Sequence, residues 1–97
     1  MTLPLITIGI TAYCAEESIE RAVRSALAQD WANTEILIVD DCSTDDTVKV
    51  VRQAIAEAKK ARLIVHDQNK GAAGARNTIL QEAKGDFIVL VMHNQPC

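Results

Sequence analysis

Glu35-Ile36-Leu37-Ile38-Val39-Asp40-Asp41-Cys42-Ser43-Thr44-Asp45 runs from an apolar stretch into two adjacent acids and then into small polar residues. The apolar part does not alternate with polar residues, so both of its faces must be covered. Strands of a parallel sheet with helices on both sides have that composition. The acids fall where such a strand ends. Ser43-Thr44-Asp45-Asp46 then resembles a capping box, with acids at the positive end of a following helix.

The same pattern recurs on both sides of this stretch. Leu5 to Ile10 is β-branched and apolar and predicts a first strand. Ile19, Ala22, Val23, Ala26 and Leu27 fall at i, i+3, i+4, i+7 and i+8, one stripe of a helix. Val48, Val51, Ile55 and Ala58 give a second helix, Leu63 to Val65 a third strand, and Ala72, Ala75, Ile79, Leu80 and Ala83 a third helix. Phe87 to Met92 is a fourth strand. Strand starts at Leu5, Glu35, Arg62 and Asp86 lie 30, 27 and 24 residues apart, the length a βαβ crossover needs. The order β-α-β-α-β-α-β predicts one α/β domain over residues 1–97.

Composition excludes several other classes. The chain has 97 residues, 48% hydrophobic and 24% charged, with a formal charge of -3. No run of Lys or Arg reaches three, so no nucleic-acid surface is expected. The longest clean apolar run, Phe87 to Met92, is far short of a membrane span. Cys14, Cys42 and Cys97 are too few and too scattered for a disulfide scaffold, and no positively charged leader opens the chain. These features predict a cytoplasmic protein. Trp31, at the opposite end of the strands from the acids, reads as a packing residue.

Ligands of open parallel α/β sheets bind beyond the carboxyl ends of the strands. The residues expected there are Thr11, Ala12, Tyr13 and Cys14, then Asp40 to Ser43, then His66 to Lys70, and last Met92 to Asn94. Asp40 and Asp41 are the most informative. Two carboxylates ending a buried strand repel each other and require a donor or cation. A ligand N–H, a metal or a helix N-terminus would each serve, and one acid could simply fold onto the second helix. Asn69 to Asn77 is rich in small residues, which lets helix N–H groups approach an anion that Arg76 would clamp. Close helix–sheet packing through Gly71 and Gly74 is the competing account. Tyr13 is placed to stack on a base. Cys14, Cys42, His66 and His93 share the edge, but their spacing matches no closed metal site.

Together these stretches resemble family 2 glycosyltransferases of the GT-A fold, specifically their N-terminal, nucleotide-binding half. The resemblance runs through Ile6 to Tyr13, Ser25 to Trp31, Glu35 to Asp45, Asn69 to Asn77 and Ala83 to Ile88. It implies a three-layer Rossmann-like sandwich with a mostly parallel sheet in the order 3-2-1-4. It implies a nucleotide-diphosphate sugar as donor, most simply a UDP-sugar, whose sugar passes to an acceptor hydroxyl. Thr11, Ala12 and Tyr13 would hold the base, Asp41 would accept its imide N–H, Asp40 would orient the loop, and Arg76 would face the nucleotide. Cys14 stands where the family commonly has Asn.

The family also implies a divalent metal, Mg or Mn, held by an acidic D-x-D cluster after the fourth strand. Here that place reads Met92-His93-Asn94-Gln95-Pro96-Cys97, with no carboxylate beyond Asp86. No catalytic or metal-binding residue is therefore assigned, and weak or absent sugar transfer is expected. Two other functions compete: a non-catalytic module that binds nucleotide or self-associates, and a receiver-like signalling domain suggested by the Asp40-Asp41 pair. The uncharged fourth strand would be a sheet edge, which predicts a homodimer.

Overall fold

The computed structural model describes residues 3–29 and 33–94. Trp31 and Cys97 lie outside the described residues, and so does the packing role expected of Trp31. Seven elements follow in order: β1 (Ile6–Tyr13), α1 (Ile19–Leu27), β2 (Thr34–Asp40), α2 (Thr47–Ala54), β3 (Ala61–Val65), α3 (Gly71–Glu82) and β4 (Phe87–Asn94). The strands form one parallel sheet in the order β3-β2-β1-β4. This is the fold class and strand order expected from the sequence.

Alternation along the strands divides the core into two layers. Ile8, Ile10 and Ala12 of β1 and Ile36 and Ile38 of β2 pack with Ile19, Val23 and Ala26 of α1 and Val51 of α2. Leu37 and Val39 point the other way, onto Ala75 and Ile79 of α3. Residues of both central strands are therefore buried on both faces, which explains their continuous apolar composition. Gly9 allows α3 to lie close on β1: a Cβ there would meet Ile79 Cγ2 at 2.5 Å.

Four local expectations change. The first strand continues past Ile10 to Tyr13, because its residues through Ala12 keep partners on both β2 and β4. Thr11, Ala12 and Tyr13 are thus strand residues and not loop residues. The fourth strand likewise runs to Asn94 through pairing with β1. The capping box does not form at α2. Its N-cap is Asp46, without a side-chain cap, and its first turn holds no acid. Ser43 and Asp45 are used instead to tie loops together, as described below. Leu80, expected on the buried stripe of α3, is 51% exposed.

Candidate functional site at the carboxyl edge of the sheet

The carboxyl ends of β1, β2 and β3 are joined by main-chain bonds before any side chain is considered. The Asp41 N–H donates to Ala12 O at 2.9 Å, and the His66 N–H donates to Asp40 O at 2.8 Å. The two adjacent acids then diverge. Asp40 continues the β2 alternation toward α1 and α2, whereas Asp41 turns toward α3.

Asp40 is fully buried. Its carboxylate accepts the Ser43 N–H at 2.9 Å and the Ser43 hydroxyl at 2.5 Å. Ser43 Oγ in turn accepts the Cys14 N–H at 2.9 Å. The acid therefore shapes the loop after β2 and links it to the end of β1. A second link lies beside it. Asp45 accepts the Thr47 N–H at 3.0 Å and also the Thr47 hydroxyl, and the Ala15 N–H donates to Thr47 Oγ1 at 2.9 Å. Burial opposes the charge on Asp45, but bonds from the Thr47 hydroxyl and N–H and from the Glu16 N–H outweigh it. Its carboxyl is held below the usual range.

Asp41 is 1% exposed, and its two oxygens hold three protein donors. Oδ1 accepts from His66 Nδ1 at 2.9 Å and from the Lys70 N–H at 2.8 Å. Oδ2 accepts the Gly71 N–H at 2.8 Å. The sequence left open whether a ligand, a cation or a helix terminus offsets this charge. Here the N-terminus of α3 does so, helped by a histidine from the loop after β3. A carboxylate at the end of a buried strand takes the nearest N–H groups, and α3 presents two of them.

Strand alternation puts Thr11 and Tyr13 on the same face as Gly9, which is the α3 face. Thr11 is buried and Tyr13 half-buried. Thr11, Tyr13 and Asp41 thus share one face and one edge, and Ala12 joins them through its carbonyl. Arg76 is not part of the bonded cluster. It lies exposed on the second turn of α3.

His66 was expected at the ligand edge, after β3, and among the scattered metal-ligand types. Its ring nitrogens are engaged by Asp41 and by Thr78 Oγ1, the latter at 2.8 Å. A histidine just past an apolar strand, twelve residues ahead of a helical threonine, carries no signal that would announce such a bridge. Among the described residues no group of three His, Cys, Asp or Glu side chains is placed to hold a metal ion. The end of β4 offers His93, and the described residues do not fit the family's metal.

A family model, glycosyl transferase family 2, matches residues 7–93, and the chain belongs to that family. An uncharacterized glycosyltransferase of Haemophilus influenzae is 35% identical over 91 residues, covering 94% of this chain and 36% of that protein. The Escherichia coli UDP-Glc:alpha-D-GlcNAc-diphosphoundecaprenol beta-1,3-glucosyltransferase WfaP is 43% identical over 91 residues, covering 92% and 35%. Among solved structures, the mannosyltransferase PcManGT of Pyrobaculum calidifontis, in complex with GDP-Man and Mn2+, superposes with a TM-score of 0.86. It is 27% identical, with 95% of this chain and 28% of that chain covered. Staphylococcus aureus TarS residues 1–349 in complex with UDP gives 0.82 and 27% identity, covering 92% and 27%. The chain spans about a third of the length of the two relatives named above. Family membership displaces the receiver-like alternative. No helix among the described residues is long and apolar enough to cross a membrane.

Proposed function

We propose that this chain supplies the nucleotide-binding part of a glycosyltransferase that uses a nucleotide-diphosphate sugar, with a uridine nucleotide as its ligand. In the parent reaction an acceptor hydroxyl displaces the diphosphate at the anomeric carbon. One observation carries the assignment: the ends of β1, β2 and β3 and the start of α3 are tied into a single edge, with Thr11, Tyr13 and Asp41 on one face of it. Tyr13 supplies a half-buried ring for stacking on the base, and Thr11 and Ala12 form the strand end beneath it. Asp41 accepts the imide N–H, while its bonds to the Lys70 and Gly71 N–H groups hold the N-terminus of α3 in place. Asp40 keeps the adjoining loop folded. Arg76 is assigned to the phosphates as the exposed cation on the following turn of α3.

UDP is favoured over GDP by the UDP-bound neighbour and by the UDP-Glc relative, although another neighbour binds GDP-Man. No metal role is assigned to the described residues, and sugar transfer by this chain alone is expected to be weak or absent. Isothermal titration with UDP and GDP tests the assignment. Saturable UDP binding that Tyr13→Ala weakens supports it. No heat at millimolar UDP contradicts it.

A second role, self-association, is favoured by β4. It lies at one end of the sheet order, and Phe87 and Met92 are 62% and 50% exposed. We assign it the homodimer contact expected from its sequence.

A further inference from the structure

His66 is 6% exposed and bridges two elements. Its Nδ1 lies 2.9 Å from Asp41 Oδ1, so this nitrogen carries a proton and donates it; a bare nitrogen would face the carboxylate with its lone pair. Its Nε2 lies 2.8 Å from Thr78 Oγ1 on α3, and that hydroxyl is also 3.1 Å from Gly74 O. Thr78 has one proton and two acceptors within reach. When Nε2 is bare, the hydroxyl donates to it. When Nε2 is protonated, the hydroxyl accepts from it and donates to Gly74 O. The ring therefore keeps both contacts in either charge state, and the donor to Asp41 stays in place throughout.

We propose that His66 is a positioning residue for nucleotide binding: it orients the Asp41 carboxylate so that Oδ2 faces the base. This rests on the nucleotide-binding assignment above. Lys70 and Gly71 hold the two oxygens from the side of α3. His66 adds a side-chain donor from the loop after β3, and together with the two helix amides it fixes the torsion of the carboxylate. His66 does not touch the ligand. It acts through Asp41, with Thr78 as the anchor that keeps the ring from turning.

The test compares UDP binding by the wild-type chain, His66→Ala and His66→Asn. The Asn amide can replace the Nδ1–H donor without replacing Nε2. His66→Ala is expected to weaken binding about tenfold, the loss of one hydrogen bond to a charged group. His66→Asn is expected to recover most of that loss. NMR of the wild-type chain provides a readout independent of any variant's folding: the His66 ring nitrogen resonances should shift on saturation with UDP. Unchanged affinity in His66→Ala, no rescue by Asn, or unmoved ring resonances at saturation would each overturn the positioning role while leaving nucleotide binding intact. Failure of the wild-type chain to bind UDP removes the nucleotide assignment and the His66 role together.

Discussion

Cys42 follows Asp41 with φ 65, in the left-handed region, and Gly71 enters α3 with φ 79. Both conformations serve Asp41. One turns the chain sharply after the strand, and the other aims the Gly71 N–H at the carboxylate. Gly71 adopts its conformation freely, whereas Cys42 does so against its Cβ. Cys42→Gly should therefore raise stability by about 0.5–1 kcal/mol, after allowing for the greater freedom of glycine in the unfolded chain; chemical denaturation reads this directly. Glu35 gives a pH-dependent effect at the opposite edge. Burial disfavours its charge. The Thr7 hydroxyl at 2.6 Å and the Lys84 N–H at 2.6 Å, with Arg62 and Lys84 nearby, outweigh that and lower its pKa. A carboxyl lowered on folding stabilises the protein above its unfolded value, about 4.3 for Glu, and loses that contribution as pH falls through the folded value. The thermal stability of wild type over Glu35→Gln should be greatest above about pH 5 and shrink as the pH is brought below 4. A constant difference would contradict this.

At the level of elements, the strands and helices were readable because each carries its own period. Ile19, Val23 and Ala26 were expected on one stripe and are buried. The ends of elements were less readable, for a physical reason. Thr11 to Tyr13 resemble loop residues in isolation, but β1 lies between two partners and keeps pairing until both stop. The sequence Ser43 to Asp46 suits a helix cap equally well as a loop clasp, and the choice depends on Asp40 and Cys14 competing for Ser43. Asp41 was recognised as the key acid, but its donors come from 25 to 30 residues away, beyond what local spacing encodes. The edge position of β4 is visible only once the strand order is known. If β4 joins two copies, Phe87→Lys should shift the chain from dimer to monomer in sedimentation equilibrium, since a lysine on an edge strand opposes pairing. A wild-type chain that is monomeric at high concentration would contradict the contact.

For the whole molecule, the sheet and its helices form the scaffold of family 2 glycosyltransferases, with Thr11, Tyr13 and Asp41 on one edge of it. The α1 face beside β4 offers a different concavity, about 540 Å³, lined in part by Ile8, Ile10, Ala22, Val89 and Val91. It is apolar and lies on the other side of the sheet from Thr11, Tyr13 and Asp41. The two surfaces predict different footprints for a nucleotide. Titrating the isotopically labelled chain with UDP and following its backbone amide resonances separates them. Shifts confined to Ala12, Tyr13, Asp41, Lys70 and Gly71 are predicted; shifts that instead map to α1 and β4, or none at millimolar UDP, would contradict nucleotide binding at the Asp41 edge.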